Sequence, residues 1–188
     1  MADDNNTPQK GPRIWQVPPG DDKPRRTCPD CNFFMYDNPK NVVGAVVTYN
    51  DKILLCRRAI DPRKGFWTLP AGWMELDETT DQGAAREAHE EAEVNYKIDA
   101  LLALYNVVHL GQVHIYYRAK MTTPHFAATS ESLEVKLFDY KDIPWNELAF
   151  PTVARALRFY EKTKHLTDFQ PDQGLITNQH MVGKPPAP

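Results

Sequence analysis

The alternation of hydrophobic and polar residues predicts a series of β-strands in the middle of the chain. Two β-rich runs, VVGAVVTY and KILLCRR, are joined by Asn50-Asp51, a dipeptide that favours a tight hairpin turn. Further runs rich in β-branched and aromatic residues follow them. The predicted strands cover residues 42–49, 52–58, 66–69, 96–108 (as one or two strands), 113–121 and 134–138.

Two helices are predicted among these strands. The first covers roughly residues 80–92, where Thr79 can cap the helix and Gln82, three residues later, completes a capping box. Alanines recur in this segment at helical spacing and form a stripe of small side chains, which lets a helix lie close to a sheet. The second helix begins near Pro151, a residue that suits a first turn. This order of elements predicts an α/β fold in which helices cover a mixed sheet.

The two ends of the chain differ from its middle. Residues 1–27 and 171–188 are rich in proline and polar residues and hold few apolar side chains. Such segments bury too little surface to offset the entropy lost on ordering, so we predict that most of them are flexible. The predicted organisation is an N-terminal extension (1–27), a short segment (28–41), a globular domain (42–168) and a flexible tail (169–188).

Length and composition argue against several classes of protein. The 188 residues suffice for one domain with appendages, and no run of about 18 apolar residues predicts a transmembrane helix. The N-terminus lacks the basic start and apolar stretch of a signal peptide, and three cysteines are too few for a disulfide framework. We therefore expect a cytoplasmic protein that does not associate with membranes. A formal net charge of −3 argues against general nucleic-acid binding.

The charge is distributed unevenly along the chain. Residues 72–93 hold eight acidic residues and one basic residue, Arg86, and carry a net −7, which leaves +4 for the other 166 residues. Glu87, Glu90 and Glu91 share one face of the predicted helix, because positions i, i+3 and i+4 are neighbours. Either this face is solvated, or a divalent cation offsets the repulsion between its carboxylates.

A metal site of this composition would have a defined chemistry. Carboxylate oxygens at this density suit Mg²⁺ or Mn²⁺ better than Zn²⁺. Mg²⁺ in proteins usually binds a few carboxylates together with the phosphates of a substrate. The metal interpretation therefore predicts a phosphate-bearing substrate, whereas the helix geometry alone leaves a solvated face equally open.

The residues around these glutamates match a longer motif. Gly72 is followed after five residues by Glu78, and after seven more the chain reads REAHEEAEV from Arg86 onward. This stretch closely resembles the Nudix box, G-x5-E-x7-R-E-U-x-E-E-x-G-U, in which U is aliphatic. Every fixed position matches except the last glycine, which is Glu93 here. That glycine normally ends the helix in a left-handed conformation, which costs other residues about 1 kcal/mol, so Asn95 is expected to take the turn instead.

The resemblance to Nudix hydrolases implies a fold and a set of site residues. The implied fold is an α/β/α sandwich with a mixed, partly curved sheet. The implied ligands for one to three Mg²⁺ or Mn²⁺ ions are Glu87, Glu90, Glu91, the Ala71 carbonyl and a carboxylate outside the box, with Glu131 as first choice and Glu134 as second. The implied candidates for activating the attacking water are Glu90, Glu91 and Glu131. The implied structural residues are Gly72 and the pair Glu78 and Arg86, which would fix the loop against the helix.

Other segments resemble one subgroup of the family, bacterial and plant enzymes that carry an N-terminal zinc ribbon and include FAD and ADP-ribose pyrophosphatases. These segments are NPK at 38–40, GFWTLPAG at 65–72, IPW at 143–145 and AFP at 149–151. Cys28 and Cys31 resemble half of the ribbon, but no Cys or His precedes them to supply the other ligands. We therefore expect residues 28–41 to be a degenerate ribbon remnant without Zn²⁺, unless two chains share a site.

Candidate substrate-binding residues lie on both sides of the box. Arg57 and Arg58 follow a predicted strand, where one guanidinium could bind a phosphate, although a solvated strand end is equally compatible. Trp73 follows the box glycine and could line the substrate cleft, and Glu134 is a further candidate. Residues that could line the cleft but are more often structural are Tyr105, His109, Gln112 and Tyr116.

By resemblance, the expected activity is Mg²⁺- or Mn²⁺-dependent hydrolysis of a pyrophosphate bond. The substrate would be FAD, ADP-ribose or a related dinucleotide or nucleotide sugar, and one product a nucleoside monophosphate. The resemblance also allows a homodimer. The alternative is a non-catalytic Nudix domain that binds a nucleotide as a sensor or regulator, but the intact set of Glu87, Glu90 and Glu91 favours catalysis.

Overall fold

A computed structural model describes residues 10–177 of the chain, which divide into two units between Asn38 and Pro39. The N-terminal unit contains a small antiparallel sheet of β1 (Ile14–Gln16), β2 (Arg25–Thr27) and β3 (Phe34–Met35), in that order. Ion pairs join its loops, among them Arg13 to Asp30, with both guanidinium nitrogens on the carboxylate at 2.6 and 2.8 Å.

The second unit is built on an eight-stranded mixed sheet. Its strands are β4 (Lys40–Tyr49), β5 (Lys52–Arg58), β6 (Trp67–Thr68), β7 (Ala71–Trp73), β8 (Tyr96–Val107), β9 (Gln112–Met121), β10 (Ser132–Phe138) and β11 (Asp172–Leu175). The order across the sheet is β10-β5-β4-β9-β8-β11, with β6 added to β5 and β7 added to β4. The pairs β4–β9 and β8–β11 are parallel and the others antiparallel, so the predicted mixed sheet is confirmed.

The hairpin between β4 and β5 follows the sequence prediction. Asn50 and Asp51 both have positive φ angles, 47° and 62°, as a two-residue turn of the type favoured by these residues requires. The turn sets Thr48 opposite Ile53 at the start of the pairing.

Two helices, α1 (Thr80–Ala92) and α2 (Pro151–Thr163), pack on opposite faces of the sheet. Alternation along β4 divides its side chains, with Val46 packed in the cluster that contains α2 and Ala45 and Val47 in the cluster that contains α1. Of the alanines of α1, Ala84, Ala88 and Ala92 are fully buried against the sheet, whereas Ala85 is exposed. The predicted layering of helices on a mixed sheet is therefore confirmed.

Helix α1 begins and ends at identifiable caps. The Thr79 side chain accepts a hydrogen bond from the backbone of Gln82, whose side chain accepts one from the Thr79 backbone, so the predicted capping box is present. At the other end, Glu93 itself adopts the left-handed conformation, with φ 51° and ψ 24°. The prediction that Asn95 would take this turn is wrong. Glu93, which occupies the glycine position of the motif, adopts the left-handed conformation and ends the helix itself.

Replacing Glu93 by glycine is expected to stabilise the protein by about 1 kcal/mol. Glycine adopts left-handed angles without the steric cost that the Cβ of Glu93 imposes. In a chain of this size the midpoint of thermal unfolding should rise by about 2–4 °C. Glu93→Ala is the matched control, since it also removes the carboxylate near His125 but keeps a Cβ. Equal midpoints for the two variants would contradict this explanation.

Three short strands lie within the segments predicted to be mostly flexible. β1 and β2 lie within residues 1–27, and β11 lies within residues 169–188. These segments are polar and contain ion pairs instead of a large apolar core. One example is the pair of Arg25 and Asp21, at 2.9 Å beside β2. Residues 1–9 and 178–188, which belong to the same prediction, lie outside the described residues. Neither helix within residues 10–177 is long and apolar enough to span a membrane.

Candidate active site

A cleft of about 480 Å³ opens in the second unit, over the face of the sheet formed by β4, β7 and β9. Its walls come from α1, from the loop after β5, and from the segments before β10 and around the start of α2. Of the fourteen residues predicted from the sequence, those that line the cleft are Arg58, Ala71, Gly72, Trp73, Arg86, Glu87, Glu90, Glu91 and Glu131. The fold therefore brings most of the predicted site together.

Two carboxylates of α1 are buried at the base of the cleft. Glu91 is 7% exposed and accepts a hydrogen bond of 3.0 Å from the Ala71 backbone N–H. Its burial raises the pKa of its carboxyl group to about 8, with a smaller contribution from the charge of Glu87. Glu87 is 9% exposed, and burial raises its pKa as well. Carboxylates in such an environment gain strongly from a nearby cation.

Arg86 connects the loop and the helix around this base. Its guanidinium donates to both oxygens of Glu78 at 2.8 and 3.0 Å, so the pair predicted from the sequence is present, and Arg86 holds the pKa of Glu78 down at about 2. The same group donates to Glu87 and Glu90 at 2.9 Å each and to the Trp73 carbonyl at 2.9 Å. The Arg86 guanidinium thus orients three acidic side chains, those of Glu78, Glu87 and Glu90.

Gly72 is required at its position by close packing. A Cβ built on Gly72 would overlap all three atoms of the Glu87 carboxylate. The absence of a side chain therefore lets Glu87 lie directly against β7, beside Ala71 and Glu91.

The structure separates the two candidates for a carboxylate outside the box. Glu131 lies just before β10 and lines the cleft, where its charge acts on Glu87 and Glu91. Its backbone carbonyl accepts a hydrogen bond of 2.9 Å from Ala59, which fixes this segment against the loop after β5. Glu134 is paired with Arg57 in the register of β10 and β5 and is not among the lining residues, so its predicted role is not supported.

The two arginines at the end of β5 also diverge. Arg58 lines the cleft, lies over the Phe150 ring at 5.3 Å, and donates to the Pro62 carbonyl at 2.8 Å. Arg57 donates to the Gly65 carbonyl at 2.9 Å and is not among the lining residues. Of the two candidates, the geometry therefore favours Arg58 for a role toward the substrate, because neighbouring residues of a strand point to opposite faces of the sheet.

Several lining residues were not predicted from the sequence. The loop after β5 contributes Ile60, Asp61 and Pro62, and the C-terminal strand leads to Ile176 and Thr177. Of the further candidates, His109, Gln112 and Tyr116 line the cleft, whereas Tyr105 is fully buried. Trp73 is 48% exposed at the cleft, with the Lys40 ammonium 5.3 Å from its ring centroid.

Cys28 and Cys31 lie in the loop between β2 and β3 of the N-terminal unit. Cys28 is buried, with its Sγ 3.7 Å from an Asp30 oxygen, and Cys31 is exposed. A hydrogen bond of 2.8 Å from the Asn32 N–H to the Cys28 carbonyl closes the turn between them. That this turn is a degenerate ribbon remnant without Zn²⁺ stays a prediction.

The residues of the cleft suit a hard divalent cation by their chemistry. Across residues 10–177, no three Asp, Glu, His or Cys side chains are arranged together in a way that could hold a metal ion. The acidic side chains are instead drawn to Arg86, which contacts Glu87 and Glu90. Glu91 takes part in none of the ion pairs of the described region, and a buried carboxylate with only a neutral hydrogen-bond donor is a strong oxygen ligand for Mg²⁺ or Mn²⁺.

Comparison with known proteins gives consistent results. A crystal structure of a NUDIX hydrolase from Nitrosomonas europaea is similar to this chain, with 45% identity and a TM-score of 0.80, covering 87% of this chain and 93% of that one. A MutT-like protein from Streptomyces ambofaciens is 37% identical over 95 residues, which are 50% of this chain. The match spans only 60% of the Streptomyces protein's length.

An ADP-ribose pyrophosphatase from Methanocaldococcus jannaschii is also similar, with 28% identity over 122 residues, or 63% of this chain and 71% of that protein. The family model for the NUDIX domain matches residues 38–162, which include β4 to β10, both ends of the acidic helix and nearly all of α2. With this match and the similarity to the Nitrosomonas structure, the chain belongs to the NUDIX domain family.

Proposed function

We propose that this protein hydrolyses the pyrophosphate bond of a nucleoside diphosphate joined to a second group, with Mg²⁺ or Mn²⁺ as cofactor. The observation that carries the proposal is the burial of Glu87 and Glu91 at the base of a cleft that also contains Glu90 and Glu131. Buried carboxylates repel each other when charged, and a divalent cation bound together with substrate phosphates would offset that repulsion.

The proposed metal ligands are the three helix glutamates, with contributions from Ala71 and Glu131. When bound, Mg²⁺ or Mn²⁺ neutralises phosphate oxygens and lowers the pKa of a water molecule, so that hydroxide is available near neutral pH. Arg86 keeps Glu87 and Glu90 on the cleft side of α1, and the Ala71 N–H keeps the Glu91 carboxylate in one orientation.

Two residues of the cleft have proposed roles toward the substrate. Glu131 is exposed and lies beside the buried carboxylates, so it can accept the proton of the attacking water and release it to solvent. Arg58 also lines the cleft, where its charge acts on Glu91 and Glu131 and can bind a phosphate of the substrate. The products would be two monophosphates, one of them a nucleoside monophosphate.

The proposed substrates are ADP-ribose and FAD. Similarity to the Methanocaldococcus ADP-ribose pyrophosphatase supports the first. The second rests on the segments that resemble the ribbon-bearing subgroup, for which the CPDC turn at 28–31 is proposed as a remnant of the ribbon.

A substrate screen tests this function. ADP-ribose, FAD, NADH, nucleotide sugars and nucleoside triphosphates are incubated with the protein and Mg²⁺ or Mn²⁺, and phosphate is measured after phosphatase treatment. We expect turnover of ADP-ribose or FAD with AMP as a product, and none in EDTA. Binding of a nucleotide without turnover of any substrate would contradict the proposal and favour the sensor or regulator.

A further inference from the structure

The C-terminal strand β11 supplies one wall of the cleft. It pairs in parallel with β8, with Gly174 opposite Tyr105, and the Ile176 N–H extends the pairing by donating to the Asn106 carbonyl at 2.9 Å. Ile176 and Thr177, which follow the strand, both line the cleft. Ile176 is 3% exposed and packs in the apolar cluster that contains Val107.

A clamp from α2 holds β11 in this position. The Arg155 guanidinium donates to both oxygens of Asp172 at 2.7 and 2.9 Å and to the Gln173 carbonyl at 2.8 Å. The Tyr105 hydroxyl donates to Asp172 at 2.9 Å, and Arg155 lies over the Tyr105 ring at 4.9 Å. The first residue of the strand is therefore tied to both the helix and the neighbouring strand.

Gly174 and the preceding connection complete this arrangement. A Cβ built on Gly174 would overlap the Arg155 guanidinium. The glycine therefore leaves room for this side chain to cross β11 and reach Asp172. Between α2 and β11, Arg118 donates to the carbonyls of Thr163 and Leu166 at 2.9 Å each, and it lies over the Phe169 ring at 4.7 Å. The strand is thus held by a set of polar contacts that a tail without function would not need.

The wall lies far from the acidic residues. The acidic helix packs on β4 and β7, whereas β11 is three strands away from β4 in the order β4-β9-β8-β11. At about 4.8 Å between neighbouring strands, this separation is about 14 Å. Here Val107, Leu110 and Ile176 line the cleft together with the uncharged polar Gln112 and Thr177 and the imidazoles of His109 and His114. Such a surface suits a ring system with a few polar groups better than it suits a phosphate.

We propose that the segment directly after β11 is a specificity element. In it, Ile176 and Thr177 form the subsite for the ring-bearing group of the substrate, remote from the metal ligands, and Arg155 and Asp172 are positioning residues that hold β11 and thereby this subsite. The proposal rests on the proposed function. It adds where the group of the substrate that lies farthest from the metal ligands is recognised. It implies a substrate that extends from α1 to β11, such as a nucleoside diphosphate with a ring-bearing group at its far end.

Steady-state kinetics of Ile176→Ala and Asp172→Ala test the proposal, with ADP-ribose and FAD as substrates. We expect KM to rise about tenfold for Ile176→Ala, since one apolar contact in a substrate pocket has an effect of this size, while kcat changes less than about threefold. Asp172→Ala should have a similar effect, because it releases the strand that places Ile176. Asp172→Glu, which keeps a carboxylate for Arg155, should recover most of the wild-type KM. Leu175→Ala is the matched control, because Leu175 is 54% exposed, precedes Ile176 and does not line the cleft.

Calorimetric binding of ADP-ribose in EDTA separates this proposal from the proposed function. The dissociation constant should rise about tenfold in Ile176→Ala and stay unchanged in Leu175→Ala. If the wild type turns over no substrate, the proposed function fails and the binding series alone decides. Unchanged KM and binding in both test variants, a loss confined to kcat and thermal stability, or no binding of ADP-ribose to the wild type would overturn the proposal.

Discussion

Replacing Glu91 by glutamine is expected to lower kcat/KM by about 10³-fold, because removing a charge that stabilises the reacting centre has an effect of this order. Glutamine has nearly the same shape and can still accept the 3.0 Å hydrogen bond from the Ala71 N–H. The substitution therefore removes the negative charge with little change in packing. The measurement is steady-state hydrolysis of ADP-ribose or FAD at saturating Mg²⁺ or Mn²⁺.

Although its activity should fall, the metal-free Glu91→Gln variant should not lose stability. Glutamine avoids burying a charge, so metal-free Glu91→Gln is expected to be at least as stable as the wild type. Metal should raise the unfolding midpoint of the wild type, since at a concentration one hundred times Kd a bound ligand stabilises by about 2.7 kcal/mol, and the variant should lose this shift. Glu93→Gln, at the exposed end of the same helix, serves as control. Full activity or an unchanged metal shift in Glu91→Gln would contradict the assignment.

Gly72→Ala is expected to lower kcat/KM by about 10²-fold while changing stability very little. The three atoms nearest to the added methyl group all belong to the Glu87 carboxylate, which is the far end of a flexible side chain and can move aside. The fold therefore survives, but the carboxylate leaves the position that Gly72 and Arg86 give it. A displacement of about 1 Å at a reacting centre costs a rate of this order.

A double-mutant cycle shows whether the methyl group acts through Glu87. Glu87→Ala alone should lower activity strongly, and adding Gly72→Ala to it should have little further effect, because the displaced group is already absent. Independent, multiplying effects of the two substitutions would show that Gly72 matters for another reason. Thermal unfolding of all three variants checks that they remain folded.

Local signals account for the parts of the site that the sequence predicts well. The bounds of α1 follow from a capping box at Thr79 and Gln82 and from the spacing of Glu87, Glu90 and Glu91, which lie within one helix and depend little on distant contacts. The hairpin at Asn50-Asp51 is equally local, since both residues tolerate positive φ angles. The other residues of the acidic cluster could be predicted from the resemblance to the Nudix box, because the spacing of residues in that motif is fixed.

Long-range pairing decides between the candidates that the sequence left open. The choice between Arg57 and Arg58 depends on which face of β5 is turned to the cleft, and the choice between Glu131 and Glu134 on how β10 pairs with β5. That pairing contains a register shift between Ser132 and Glu134, which no periodicity in the sequence indicates. β11 is short and polar, and Arg155, 17 residues before Asp172, holds it.

The five hydrogen bonds of Arg86 to Glu78, Glu87, Glu90 and the Trp73 carbonyl have a consequence for how the protein is made. An internal guanidinium already neutralises part of the acidic cluster, so the newly synthesised chain can fold before it meets a divalent cation. Removal by a chelator would then switch activity off without unfolding the domain. On the proposed function, the cation would be a reversible requirement for turnover, and its supply could vary while the amount of folded protein stays constant.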